Sequence, residues 1–434
     1  MTRSWSNWAG TARCSPQTYA IARSEADVAT LVRAARERGV PVRAVGAGHS
    51  FAPLACTPGM LVDVRRLRGV LAIGRADAAT GAVTVTVGAG TSLGELAAAL
   101  HLRGLTVHGL PTTTAPTLAG AVATGTHGGG RHASLSAQVV GFRVVTGTGD
   151  MRDVDLESDL LPAFRVSLGA LGVVTRLVLR CVPGQLLERR EADGALGGLL
   201  ADPVRWAASA EHVSAFWFPW QDRVRHHTLQ PASDARPSAA VSPVVTIRDD
   251  LLRGWALRAA VARSPLPRAA AQRLAELCRP APAPPHRGPA HTCCVFPQRL
   301  RFAALEYGIP LERLPEAVER LRVALRRTGF TSVLPLEIRP GPAETAWLSP
   351  AQGRATAWIN LAAPRTPGRD RWLRTAEEIL VEAGGRPHWA KRHSLDASVL
   401  HDRYRHWHDF RAARDAFDPD RVFRSPYLDR LLGS

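Results

Sequence analysis

Three places in the sequence combine chemically useful residue types with suggestive spacing. Gly46-Ala47-Gly48 is followed at once by His49 and Ser50. Glycine reaches positive φ without steric cost and lets the main chain approach a ligand closely. This turn can therefore wrap a phosphate-bearing molecule and leave an imidazole at its rim. His49 is the residue of this stretch best suited to covalent or catalytic chemistry. Far downstream, Glu337 and Arg339 stand two apart, which on a strand turns both to one face. Lys391 is the single lysine among 55 basic residues, all the others being arginine. A lysine kept in so arginine-rich a chain points to a site that needs a compact ammonium rather than a planar guanidinium. The bland alternatives are an in-plane ion pair for Glu337 and Arg339, and chance retention for Lys391.

A second glycine-rich stretch runs from Ala115 to Gly130, and a third turn of small residues spans Val166 to Thr175. So little side-chain volume means that these backbones lie against something else, either a tight helix–sheet crossing or a cradled pyrophosphate. Two such loops in one region, with the hydroxyls of Thr124 and Thr126, favour the cradle. Neither loop is a Walker P-loop, which requires Gly-Lys-Ser/Thr. The dinucleotide fingerprint fails too, because His49-Ser50-Phe51 follows the first glycine pair.

The elements that position these loops are legible. Ser24 caps a predicted helix through Gly39, with Asp27 in its first turn and Val28, Leu31, Val32 and Ala35 on one face. Strands are predicted at Val40–Val45, Met60–Val64, Val83–Val87 and Phe142–Thr146. Ser92 and Glu95 form a capping box for a helix through Leu102. Strands alternating with amphipathic helices predict an α+β or α/β domain. After about Pro183 the short strands thin out while tryptophan and proline accumulate (Trp206, Trp217, Trp220, Trp255). Arg279–Pro289 reads as an exposed loop, Leu311–Arg327 as an amphipathic helix and Val333–Arg339 as a strand. Asp418 to Tyr427 reads as a turn folding back onto the body.

With 434 residues the chain exceeds one ordinary core, so two domains are expected. The six cysteines form no CxxC pair, which argues against a zinc site or a disulfide framework, and no metal is expected. No apolar run is long enough to span a membrane, and Met1–Trp8 lacks the apolar core of a signal peptide. A cytoplasmic protein is expected, with room for peripheral membrane association. The formal charge of +17 invites a nucleic-acid reading. Arginine is spread along the whole chain, however, without basic blocks interleaved with aromatics. The field is better suited to drawing an anionic substrate towards a cleft.

Taken in order, Trp5-Ser-Asn-Trp8, Val45-Gly-Ala-Gly-His-Ser50, Ala123-Thr-Gly-Thr-His-Gly128, Ser167-Leu-Gly-Ala-Leu-Gly-Val173, Glu337-Ile-Arg339, His388-Trp-Ala-Lys-Arg-His393 and Asp418-Pro-Asp-Arg-Val-Phe423 make a specific set. The chain resembles the FAD-linked sugar-lactone and polyol oxidases of the vanillyl-alcohol-oxidase type: gulonolactone and arabinonolactone oxidases or dehydrogenases, and alditol oxidase. The resemblance implies an α+β fold. Residues 1–183 would form a two-subdomain FAD-binding domain of the PCMH type and 184–415 an α+β substrate cap, with 416–434 returning to the FAD domain. It implies FAD held by Val45, Gly46, Ala47, Gly48, His49, Ser50, Gly120, Thr124, Gly125, Thr126, His127, Gly128, Gly172 and Val174. Covalent attachment would run through His49 alone, since Ala115-Pro-Thr117 stands where doubly linked relatives carry Cys-Pro-Thr.

It further implies that Glu337, Arg339 and Lys391 surround the reacting hydroxyl, with Thr117 over the flavin. Cations beside an oxygen that gains negative charge as hydride leaves would lower the barrier, and Glu337 is a candidate proton acceptor. The expected activity is oxidation of a CH–OH group in a sugar, polyol or aldonolactone, with oxygen or another acceptor completing the cycle. Ala362 stands where many relatives carry a histidine, which suggests a roomier pocket and a larger or modified sugar from a specialised pathway. The competing expectation is a flavin-binding protein whose cap has lost catalysis and serves binding or regulation.

Overall fold

A computed structural model describes residues 4–233, 237–238, 270, 273, 282–294, 301–328, 330, 334–363 and 368–433. Trp255, Cys278 and the start of the Arg279–Pro289 segment lie outside these. β1 (Trp5–Ser6) and β2 (Arg13–Cys14) form a short antiparallel hairpin. β3 (Thr18–Ile21), α1 (Glu25–Glu37), β4 (Val42–Val45) and β5 (Met60–Asp63) build a parallel sheet in the order β3-β5-β4. The start of α1 is fixed as the sequence predicts. Ser24 accepts from the Asp27 N–H, and the Asp27 carboxylate takes the Ser24 N–H in return. Val28, Val32 and Ala35 of the helix bury against Val42, Met60 and Val62 of the sheet.

The second sheet is antiparallel, in the order β10-β9-β11-β7-β6, with β8 also paired to β11. Its strands are β6 (Val70–Ala76), β7 (Val83–Gly88), β8 (Leu105–Thr106), β9 (Val139–Val145), β10 (Met151–Val154) and β11 (Val173–Pro183). α2 (Leu93–His101) follows β7 and carries the Ser92–Glu95 capping box. The glycine-rich stretch folds as α3 (Leu118–Ala123) and the turns after it. Arg43, fully buried on β4, ties the region together by donating to the carbonyls of Leu54, Leu168, Gly169 and Phe423.

The segment after Pro183 is where the reading of strands fails. Among the described residues it holds the largest sheet, eight strands in the order β15-β12-β14-β13-β17-β18-β16-β19. These are β12 (Leu186–Ala195), β13 (His212–Trp217), β14 (Arg223–Pro231), β15 (His286–Pro289), β16 (Ala303–Pro310), β17 (Leu336–Gly341), β18 (Thr356–Ala363) and β19 (Arg386–Pro387). Buried charges at Glu188, Arg225, Glu306, Glu337 and Arg339 interrupt its apolar pattern. Alternation sorts β16 cleanly. Tyr307 faces the helix at Arg369–Glu382 and donates to Glu377 at 2.6 Å, while Glu306 faces the other way. The helix expected from Leu311 begins with a 3-10 turn at Leu311–Arg313 and becomes α-helical at Leu314–Thr328. Pro315, which suits a first helical turn, sits at that junction. The chain end returns to the first sheet. Asp418 accepts the N–H groups of Val422 and Phe423, and the Val422 carbonyl takes the Val42 N–H at 2.7 Å.

Candidate active site

An open cleft lies between the loops after β4, before and after α3 and before β11 on one side, and β16–β18 on the other. The turn after β4 supplies Gly46 to Ser50. A side chain at Gly46 would stand 2.0 Å from Thr117 Oγ1, so the two loops touch only because position 46 has no Cβ. Gly48 has φ +69° and Gly172 has φ +139°, conformations that side-chain-bearing residues rarely adopt. Among the described residues, the N–H groups of Ala47, Gly48, His49 and Ser50 meet no protein acceptor. A run of free main-chain donors beside small residues is the chemistry that binds a pyrophosphate or the polar edge of a flavin, so this wall fits FAD. His49 stacks on Trp8 with centroids 5.5 Å apart and planes 18° from parallel. Burial lowers its pKa, which keeps the imidazole neutral with a free lone pair.

The opposite wall is charged, and strand register assembles it. Asn360 on β18 is paired with Glu337 on β17 and with Glu306 on β16, so the three share one face. Arg339 lies opposite Trp358. Glu306, 1% exposed, is the centre. Its Oε1 receives Arg339 Nη2 at 2.5 Å and its Oε2 lies 3.3 Å from Lys391 Nζ. Burial alone would raise the Glu306 carboxyl; Lys391 and Arg339 outweigh it and hold the group well below 4.5. Arg339 behaves conversely: burial opposes its charge, but Glu337 and Glu306 raise its pKa above the ordinary value. Glu337 Oε1 lies 3.6 Å from Arg339 Nε without a hydrogen bond, and Oε2 accepts from Asn360 at 3.4 Å. One buried cation, one half-buried cation and an incompletely engaged carboxylate thus border the cleft, ready to receive a hydroxyl group.

Of the residues singled out in the sequence, Val45, Gly46, Ala47, Gly48, His49, Ser50, Thr117, Gly120, Thr124, Thr126, His127, Gly172, Val174, Glu337, Arg339 and Lys391 line this one cleft. Gly125 and Gly128 do not. Gly125 takes a turn at φ +70°, and Gly128 contributes its carbonyl to His127 Nδ1 at 2.8 Å. Thr117 precedes α3 without capping it through its side chain and packs on Gly46 instead. Ala362 shares the face of β18 with Asn360, and of the two it is Asn360 that lines the cleft. Glu306, His388 and Asn360 were missed. The available signal for Glu306 was a lone carboxylate inside the apolar run Ala303–Ile309. His127, Glu306 and His388 also bring ligand atoms within 4.8 Å of one another. Both Glu306 oxygens already face cations, which a metal ion would have to displace, so the cluster is built for ion pairing.

The family model for D-arabinono-1,4-lactone oxidase matches residues 177–431, and that for the FAD binding domain matches 16–155. The chain is 34% identical to L-gulono-1,4-lactone dehydrogenase of Mycobacterium tuberculosis, over 100% of both sequences. It is 30% identical to alditol oxidase of a Streptomyces species, over 89% of each. With L-gulonolactone oxidase of Mus musculus the identity is 28%, over 98% of this chain and 97% of the other. Among solved structures, cholesterol oxidase of Brevibacterium sterolicum shares the fold with a TM-score of 0.78 at 16% identity, covering 100% of this chain and 97% of that one. Among the described residues no helix is long and apolar enough to cross a membrane. The chain belongs to the D-arabinono-1,4-lactone oxidase family and is an FAD-binding oxidoreductase that oxidises CH–OH groups.

Proposed function

We propose that this member of the family oxidises a secondary or primary alcohol of a sugar, polyol or aldonolactone, bound between the glycine-loop wall and the charged wall of the cleft. The observation that carries the reading is the meeting of Glu337, Arg339 and Lys391 in the same cleft as Gly46–Ser50. Residues 1–183 would hold FAD, residues 184–415 would form the substrate cap, and 416–434 would complete the FAD side. The loop at Val45–Ser50, then Gly120, Thr124 and Thr126, and the turn with Gly172 and Val174 would contact the cofactor, with Thr117 over its ring. His49 Nε2 or Nδ1 is the only candidate we assign for a covalent bond to it, because position 115 is alanine. When bound, FAD supplies the acceptor for a hydride and its electron pair.

The protein's own part is electrostatic and positional. Arg339 and Lys391 would hold the hydroxyl oxygen and stabilise the negative charge that grows on it. Glu337 would accept a hydrogen bond from a neighbouring hydroxyl through its free Oε1. Asn360 would fix the orientation of Glu337 and add an amide donor for the substrate. The assembled charges speak against a cap that has lost catalysis. Steady-state turnover across aldonolactones, alditols and larger glycosides tests the reading, with peroxide release compared against an artificial electron acceptor. Turnover of one of these classes is expected, and the comparison identifies the acceptor. Failure of the whole panel with both acceptors, on yellow protein, would favour the binding or regulatory reading.

A further inference from the structure

His127 was expected to touch the cofactor, but its surroundings belong to the charged wall. Its ring lies flat on the Trp358 indole, centroids 3.7 Å apart and planes 19° from parallel. Its Nδ1 stands 2.8 Å from the Gly128 carbonyl oxygen. A carbonyl can only accept, so Nδ1 carries a proton and the neutral ring has its lone pair on Nε2. Nε2 is buried without a hydrogen-bond partner, 3.3 Å from Glu306 Oε1. A lone pair facing a carboxylate is repulsive. One added proton converts that contact into a charge-assisted hydrogen bond, beneath an indole face that favours a cation.

Oxidising an alcohol to a carbonyl releases one proton beside the hydride. We propose that the Glu306–His127 pair receives that proton, which comes to rest on His127 Nε2. The substrate O–H bond breaks and its proton passes to the pair, while the C–H bond breaks and the hydride takes its electron pair to FAD. The carbonyl forms, and the imidazolium returns its proton to solvent after product leaves. This deepens the proposed function and rests on it. Every charged or titratable neighbour fits the assignment. Glu306 favours the protonated ring. Arg339 and burial oppose it and lower the pKa, so the ring is neutral before turnover. His388, 5.4 Å away by centroid, is itself pushed down to about 3 by burial and adds no competing proton. Lys391 and Arg339 hold Glu306 ionised. Glu337 engages Arg339 from the other side.

Two measurements on the full-length, flavin-loaded protein test this. The first needs no turnover: nitrogen NMR of 15N-histidine-labelled protein, with the His127 signals identified by their loss in His127→Gln. A neutral ring with a protonated Nδ1 at pH 7 is expected. A proton on Nε2 at pH 7 overturns the proposal whatever the substrate. The second is anaerobic stopped-flow reduction of the flavin by substrate across pH. Wild type should lose rate as pH falls through the lowered His127 pKa, since only the unprotonated ring accepts a proton. His127→Gln and His127→Ala should keep their flavin, lose on the order of 10²–10⁴ in rate, and lose that acid limb. Added imidazole should restore part of the rate to His127→Ala. Variants within a few-fold of wild type with the acid limb intact overturn the proposal. If no panel substrate reduces wild-type flavin, the proposed function fails instead, and the NMR result still stands.

Discussion

Glu306→Gln is the most instructive single change, because glutamine keeps the shape of the side chain and removes only its charge. The carboxylate sits 2.5 Å from one cation and 3.3 Å from another while 1% exposed. At an effective dielectric of about 20, contacts at those distances carry roughly 5–7 kcal/mol each in gross Coulomb energy. Desolvation of the buried ions offsets most of that. What remains observable is the cost of leaving the buried Arg339 and the half-buried Lys391 without their counter-ion, about 3–5 kcal/mol. Glu337 still stands 3.6 Å from Arg339, which places the expectation near the lower end, about 3 kcal/mol at pH 7.

Linkage adds a second signature. The Glu306 pKa is lower folded than unfolded, so its stabilisation is present above about 4.5 and disappears as pH falls through the lowered folded value. Equilibrium urea unfolding of both proteins, followed by tryptophan fluorescence at several pH values, reads both quantities. The difference should be about 3 kcal/mol at pH 7 and shrink below pH 4.5. A variant within about 0.5 kcal/mol of wild type at pH 7, which is the scatter of ordinary surface changes, refutes the idea that Glu306 anchors the charged wall. So does a deficit that ignores pH.

His49→Ala should retain FAD that acid precipitation releases, whereas wild-type flavin should stay with the precipitate; acid-stable flavin in the variant contradicts attachment through His49. Lys391→Met should cut the rate of flavin reduction on the order of a hundredfold, as for loss of one oxyanion donor, while FAD content measured by absorbance stays near wild type. Gly46→Ala should lose FAD and stability, since its Cβ would meet Thr117 Oγ1 at 2.0 Å. Adding Thr117→Ala to it should recover part of the urea midpoint, and no recovery would locate the clash elsewhere. His388 and His393 are buried neutral, each pushed down to about 3. Between the unfolded value near 6.5 and the folded value the unfolded state binds more protons, so stability is lost as the pH falls. The two together contribute a slope approaching about 2.7 kcal/mol per pH unit. Replacing either by glutamine should flatten the acid limb of a pH–stability curve.

The first half of the chain was legible because its signals are local. Ser24 with Asp27 and Ser92 with Glu95 announce helix starts, and glycines mark turns whose φ values only glycine holds cheaply. The cap was harder. Its strands carry charges that alternation normally turns to solvent, and these charges are buried because each meets a partner from another strand or loop. Glu337 and Arg339 could be placed on one face by counting residues. Their meeting with Glu306 and Lys391 depends on the β16–β18–β17 register and on the loop after β19, which no local pattern encodes. The same register sets Asn360 between Glu306 and Glu337. His127 looked like part of a glycine loop because its neighbours in sequence are glycines, while its neighbours in space are Glu306 and Trp358.

In the proposed function a sugar-type alcohol delivers its hydride to FAD in this cleft. Anaerobic titration of the purified yellow protein with aldonolactones and alditols measures that step without any electron acceptor. Bleaching of the flavin band by at least one of them, with stoichiometric formation of the carbonyl product, is the predicted result. A flavin that dithionite bleaches and no member of either class touches would contradict the account.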